Sequence, residues 1–355
     1  MAATLELMTQ LTAGHPIETP HHPVGRRTIE LTDHSRRDLN DNGRLLGVDL
    51  WYPAEASAAE PTMYELLPGI AYRAAHAQQE PPARAGEFPL VLFSHGRTGM
   101  RISYAFLCEA LAARGAVVAS ADHPGDALAD WLLGQNDDDR TNEVNRVADA
   151  HFVLHALLGG DSVVPVDVIN AIDHERVVLA GHSYGAYTAF ATAAGSRGVA
   201  AHDRVRAIVG LQSYTRTMSD GLLGRVAQPT LMVVSTHDRT TPPEVDAERP
   251  WALLRGHPTW RLDLLGAGHQ ACTDIAFYAD LAAHVPNIPD VVREYLEFTA
   301  ADAEPIAGRT WRDLLAVQIA TIWAFLQVVL NMDSDEGLAQ VQRLEDLPGI
   351  SLRRR

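Results

Sequence analysis

Residues 177–187 read VVLAGHSYGAY: an apolar β-branched run, then one serine with a glycine two residues before it and another two residues after. The run suits a strand buried on both faces, and the small residues behind it suit a helix. A serine caught between the two sits in a very tight turn. The residues two before and two after must then be small, because their side chains would collide with the neighbouring strand and helix. Gly181 and Gly185 meet that demand. Ser183 is lifted above the sheet, and the next backbone N–H lies at a helix N-terminus, where it can meet a developing oxyanion. The pattern predicts Ser183 as a nucleophile.

Strands and helices alternate on either side of this turn. FPLVLFSHG (88–96), AVVASADHPG (116–125), RVRAIVGLQ (204–212), PTLMVVST (229–236) and WRLDLL (260–265) read as strands. SYAFLCEALAARG (103–115) and VNRVADAHFVLHALL (144–158) read as helices, the first with a glycine stop. RRTIELTD (26–33) and RLLGVDLWYP (44–53) add two strands about the turn NDNG. The alternation predicts one α/β domain over 1–355, with a mostly parallel central sheet and helices on both faces. Residues 1–25 read as an N-terminal arm, 55–87 as an irregular excursion, 126–143 and 271–308 as lid or cap excursions, and 332–355 as a tail. Ligands bind such sheets beyond the carboxyl ends of the strands.

A seryl hydroxyl is a poor nucleophile until a base takes its proton. Position has to choose among 16 histidines. His269, in DLLGAGHQ (263–270), follows the last core strand and a Gly-Ala-Gly turn that can carry an imidazole back over the serine. His95, His123 and His182 also sit at strand ends. The first two are expected to hold loops by hydrogen bonds, and His182 to point away from the hydroxyl. The base needs an acid to fix its tautomer. Asp238 follows PTLMVVSTH, again at a strand end; Asp220 has no strand before it, and Asp274 comes after the base in the chain. The order Ser183, Asp238, His269 is that of α/β-hydrolases. The oxyanion site needs two backbone N–H groups, expected at Tyr184 and Arg97. The Arg97 side chain is expected to reach solvent or a substrate carboxylate. Met100, Tyr104, Trp131 and Leu132 are candidate apolar substrate contacts.

Composition narrows the chemistry further. Acidic residues outnumber basic ones, 45 to 29, for a net charge of −16. That sign argues against nucleic acid or an anionic membrane as the main partner. Every basic residue is arginine, so Schiff-base and Ser–Lys mechanisms are excluded. Cys108 and Cys272 are expected as buried thiols, and no metal-site spacing occurs. Residues 314–330 carry no charge, but as a helix they span roughly 26 Å, short of a bilayer core. A buried C-terminal helix is expected there rather than a membrane span. The start of the chain has neither a basic nor an apolar leader pattern, which leads to the expectation of a cytoplasmic protein.

Taken together, DLWYPAE, PLVLFSHGRTGMRISYAFLCEALAARGAVVASADHPG, GHSYGA and GAGHQACTD resemble the platelet-activating-factor acetylhydrolase group and the related bacterial predicted dienelactone hydrolases, over about residues 28–330. The resemblance implies carboxylic-ester hydrolysis by Ser183 and His269, oxyanion donors at Arg97 and Tyr184, and neither metal nor cofactor. It departs at one point. The animal acetylhydrolases place their acid after the strand that here reads AIVGLQSY, where this chain has Gln212, so the acid is expected one strand later at Asp238. Dienelactone hydrolases proper use cysteine at the elbow, so that activity does not carry over. The expected substrate is a small-molecule or polymeric ester, with acyl or aromatic esters favoured by apolar walls. An acyltransferase, a haloperoxidase-like or C–C bond hydrolase, and a non-enzymatic binding protein are the alternatives.

Overall fold

A computed structural model describes residues 22–36, 42–67, 70–285, 288–303 and 309–355. The early strands are β1 (Val24–Asp33), β2 (Arg44–Pro53), β3 (Pro61–Leu67), β4 (Ile70–Gln79), β5 (Phe88–Ser94) and β6 (Val117–Ala121). Then come β7 (Ile172–His182), β8 (Val205–Leu211), β9 (Thr230–Ser235), β10 (Thr259–Leu264) and β11 (Ile350–Arg354). All belong to one sheet in the order β11-β10-β9-β8-β7-β5-β6-β2-β1-β4-β3. The stretch from β10 to β6 is parallel throughout; β2 and β11 join it antiparallel at either side. The longer helices are α1 (Ala105–Arg114), α2 (Asp139–Gly159), α3 (Tyr184–Ala194), α4 (Ile275–His284), α5 (Asp290–Ala300), α6 (Trp311–Val329) and α7 (Ser334–Glu345).

The continuous apolar runs make sense because both sheet faces are covered. Successive strand residues point to opposite sides. Val91 and Phe93 of β5 join the core beneath α1, α4 and α6, while Leu90 and Leu92 join the core beneath α2 and α3. Val178 and Ala180 of β7 divide from Val177 and Leu179 in the same way. Each Val, Leu or Phe side chain buried in this way contributes about 1.5–3 kcal/mol. Helix α6 is long and apolar enough to cross a membrane by length and composition. Here its buried face packs on the sheet, with Trp311 stacked on Phe106 and Phe325 edge-on to Trp260. Cys108 and Cys272 are both free and buried.

Two segments differ from expectation. Residues 55–87 hold β3 and β4, which extend the sheet past β1. Their alanine and proline content hides the strands, and their pairing shifts register twice, which breaks the alternation a sequence would display. Residues 332–355 are no tail: α7 packs on α6, and β11 closes the sheet edge against β10. Its arginines face solvent on an edge strand, a common guard against further pairing. In the arm, Val24 and Gly25 begin β1, and residues 1–21 lie outside the described residues.

A buried carboxyl ties the added strands to the core. Trp51 Nε1–H donates to the Tyr64 hydroxyl at 2.8 Å, which donates to Glu109 of α1 at 2.5 Å. Burial pushes the Glu109 carboxyl from 4.5 up to about 7. The folded chain therefore holds a proton that the unfolded chain releases above 4.5. The Glu109 contribution to stability should fall by about 3 kcal/mol as pH rises through that interval and level off beyond it. Denaturant unfolding across the interval should show the native chain losing about 3 kcal/mol relative to Glu109→Gln; identical profiles would exclude Glu109 as a source.

Candidate active site

The elbow is held by contacts that leave no room for side chains. Ser183 has φ 54° and ψ −117°, in a region non-glycine residues rarely occupy. Its N–H donates to the Leu211 carbonyl at 2.9 Å, and its own carbonyl accepts from Tyr214 at 3.0 Å. A Cβ on Gly185 would lie 1.9 Å from the Ser94 carbonyl oxygen, and one on Gly181 would lie 2.4 Å from the backbone of Gly185. The two glycines are thus the condition for strand β7 to hand over to α3 in one step. Ser183 is 8% exposed and lines a cleft at the carboxyl ends of the strands.

His269 lines the same cleft. Its Nδ1–H donates to Asp238 Oδ2 at 2.7 Å. The other oxygen, Oδ1, accepts from the N–H groups of Thr240 and Thr241 at 2.9 and 2.7 Å. The Thr241 hydroxyl donates to Oδ2 at 2.6 Å. The carboxylate is therefore fully occupied and fixed in orientation, with one oxygen aimed at the imidazole. Asp238 and His269 are 5% and 3% exposed, so the pair is shielded from water. Among the rival acids, Asp220 is exposed and pairs with Arg249, and Asp274 accepts from the Phe106 N–H away from the imidazole. Gln212 packs below the pair, its side chain donating to Ser235.

The strand end after β5 supplies the other wall. Arg146 of α2 is wholly buried. Its guanidinium donates to Asp126 at 2.7 Å, to the His95 carbonyl at 2.8 Å and to the Gly96 carbonyl at 3.3 Å. The peptide that follows Gly96 is trans, so its N–H points opposite to the carbonyl. With the Gly96 carbonyl turned back to Arg146, the Arg97 N–H is turned away from Arg146. The Tyr184 N–H lies at the first position of α3, where no intrahelical acceptor exists. Arg97 lines the cleft with Ser183, and Tyr184 follows Ser183 in the chain. The Arg97 side chain reaches solvent, one of its two expected destinations, with 45% of it exposed. It pairs with Asp126 and Asp139 and lies over the Tyr184 ring.

Arg146 was not legible in the sequence as a site residue, because a single arginine in an amphipathic helix reads as surface. Arg146→Met leaves Asp126 buried with its best partner gone, and stability should fall by about 3–5 kcal/mol. In the folded variant, kcat should drop by roughly 10²–10³-fold as the Arg97 N–H loses its aim. Thermal melts and ester kinetics on the same preparation separate the two effects. Unaltered kcat in the folded variant would sink the positioning role.

A second structure runs behind the serine. The Gly96 N–H donates to the Tyr104 hydroxyl at 3.1 Å. Tyr104 donates to His182 Nδ1 at 2.7 Å, and His182 Nε2–H donates to the His269 carbonyl at 2.9 Å. Burial, then the neighbouring His269, holds the His182 imidazole well below its usual range, so it stays neutral as this chain requires. His182 ties the two loops together and lines the cleft beside Ser183. His95 and His123 hold loops: His95 Nδ1 meets the Gly96 carbonyl at 2.7 Å, and His123 Nδ1 meets Asp149 at 3.0 Å.

The cleft encloses about 810 Å³ of empty space, counted out to its open mouth. Met100 and Tyr104 line it, though the Tyr104 hydroxyl is committed to the chain just described. Trp131 and Leu132 do not line the cleft; they line an adjoining apolar chamber of about 640 Å³, counted the same way. Leu128, Tyr278, Tyr295 and Leu296 line both spaces and were missed, because they lie in the excursions, where apolar residues read equally well as packing. Those excursions hold the short helix Leu128–Leu133, α4 and α5, with Trp131 packed on Tyr295 at 5.3 Å between ring centres. Residues 286–287 and 304–308 of the second excursion lie outside the described residues. No cluster of three or more potential metal ligands occurs among the described residues.

Comparison with known proteins agrees with this architecture. A family model described as Chlorophyllase matches residues 79–217. Platelet-activating factor acetylhydrolase from Canis lupus familiaris is 24% identical over 190 residues, 43% of this chain and 41% of that protein. The Bos taurus enzyme of the same name is 23% identical over 230 residues, 55% of this chain and 50% of that protein. This chain thus spans about half the length of these relatives or less. Among solved structures, a ferulic acid esterase from Streptomyces cinnamoneus superposes with a TM-score of 0.71 at 24% identity, covering 96% of this chain and 99% of its own. The fold is that of the α/β-hydrolases, and the resemblance is to their serine-esterase group.

Proposed function

We propose that this chain hydrolyses carboxylic esters through an acyl-enzyme on Ser183. The observation that carries this is the 2.7 Å bond from His269 Nδ1 to the buried Asp238, which holds His269 in the cleft that Ser183 and Arg97 also line. His269 takes the proton from Ser183 at Nε2, and the oxygen attacks the ester carbonyl. The Arg97 and Tyr184 N–H groups hold the tetrahedral oxyanion. His269 then gives its proton to the departing alcohol. Water, deprotonated by the same imidazole, attacks the acyl-enzyme and releases the acid. Asp238 remains ionised and stabilises the imidazolium. The apolar walls support acyl or aromatic esters as substrates.

The test is covalent labelling. Purified protein treated with a fluorophosphonate should gain one adduct by intact mass, located on Ser183 by peptide mapping. Esters incubated in water should yield free acid. A folded protein that takes no adduct would return the fold to a binding role. Accumulation of transesterified product in preference to free acid, with a little added alcohol, would make it an acyltransferase.

A further inference from the structure

The cleft has two ends of opposite character. At one end it runs into the apolar chamber, where Met100, Leu128 and Leu296 belong to both spaces. The chamber is walled by the helix Leu128–Leu133, α4 and α5, and no residue lining it carries a charge. At the other end the cleft passes Thr240, Gln270 and Thr299 into an open basin of mixed lining, where His237, Arg239 and Asp302 stand beside the exposed Phe298. These two ends are not equivalent for the reaction. The basin is built on the loops that carry Asp238 and His269: His237, Arg239 and Thr240 flank the acid, and Gly268 and Gln270 flank the base. The chamber receives no residue from either loop.

His269 must deliver its proton to the oxygen of the leaving alcohol, so the alcohol lies on the side of the base. The acyl group, held between serine and oxyanion donors, has to run the other way. We propose that the chamber is an acyl subsite and the basin an alcohol subsite. The substrate is then an ester of a hydrophobic acid, a medium-length aliphatic or arylalkyl chain, with a hydroxyl-rich polar alcohol. This inference rests on the ester-hydrolase reading above and deepens it. The opposite polarity, a short acyl group on a large apolar alcohol, would leave the chamber empty and place hydrocarbon against Thr240, Gln270 and Asp302. Such a mismatch is costly, because polar groups in the basin would lose water without gaining partners.

The experiment compares mirror-image esters on the full chain: glycerol mono-octanoate against octyl acetate, with para-nitrophenyl acetate, butyrate and octanoate as a graded series. Expected is a preference of roughly tenfold or more in kcat/KM for the octanoyl ester of glycerol over octyl acetate. Val292→Trp, in the chamber wall, should lower the octanoate-to-acetate ratio by a similar factor. Leu132→Arg, at the exposed mouth of the chamber where folding tolerates a charge, should lower the same ratio if the tryptophan variant misfolds. A preference for octyl acetate, or a loss in both variants that falls on alcohol length instead of acyl length, overturns the assignment while leaving the esterase standing. No hydrolysis of any ester, with no fluorophosphonate adduct on Ser183, overturns the esterase and the subsites together.

Discussion

Ser183→Ala is expected to lower kcat on any accepted ester by on the order of 10⁶-fold. The size follows from the role: without Oγ no acyl-enzyme forms, and His269 and the two N–H donors have nothing to activate. The fold should survive. The unusual φ of 54° is imposed by neighbours and not by the hydroxyl, since the Ser183 N–H and carbonyl bond to Leu211 and Tyr214 through the backbone. Alanine meets the same steric conditions as serine. The variant should therefore melt near the native temperature, take no fluorophosphonate, and retain only background rate. A folded variant that keeps more than about a thousandth of the native rate would mean that another group attacks, because the oxyanion site and substrate binding alone give a residual of roughly 10³–10⁴ over water, far below that level.

The second large effect concerns Asp238→Asn, and its cause can be traced atom by atom. In the native site Oδ1 accepts from two backbone N–H groups, and Oδ2 faces His269 Nδ1. An asparagine must keep its oxygen on the side of those two donors. Its NH₂ group then faces the imidazole and donates to Nδ1. That drives the histidine proton to Nε2, where the base should accept from Ser183. The same clash of tautomers in a serine protease triad costs about 10⁴ in kcat, and a drop of about that size is expected here. KM should change far less, since Asp238 does not line the cleft. Steady-state kinetics decide the matter. A loss of stability with kcat preserved in the surviving fold would show that Asp238 serves the loop and not the base.

The central architecture was legible because its signals are steric and local. GHSYG demands a turn that only glycines allow, and the Cβ distances at Gly181 and Gly185 give the reason. Buried parallel strands read as unbroken apolar runs because helices cover both faces. The placement of Asp238 and His269 at strand ends was readable for the same reason. The strands β3 and β4 and the edge strand β11 were not. They carry few β-branched residues, and pairing with a partner far along the chain decides their state. Arg146 escaped notice because its burial depends on carbonyls at His95 and Gly96 that turn toward it only in the folded loop. Trp131 and Leu132 were expected as substrate contacts in the cleft and instead line the adjoining chamber, because which of the two spaces they face is a property of how the excursions close.

The hydrogen-bonded path from Gly96 through Tyr104 and His182 to His269 has a consequence for how such a protein changes over time. It links the loop of the oxyanion donor to the loop of the base through the interior, and it uses no residue of α4, α5 or the helix Leu128–Leu133. Alignment of the reacting groups is therefore set in the wall of the cleft itself, while the shape of the chamber is set by the excursions. Substitutions in the excursions that spare Asp302, which accepts from the His269 N–H at 3.1 Å, can retool which acids are admitted without loosening the chemistry beneath. Divergence of substrate range within one unaltered reaction is the evolutionary behaviour this division favours.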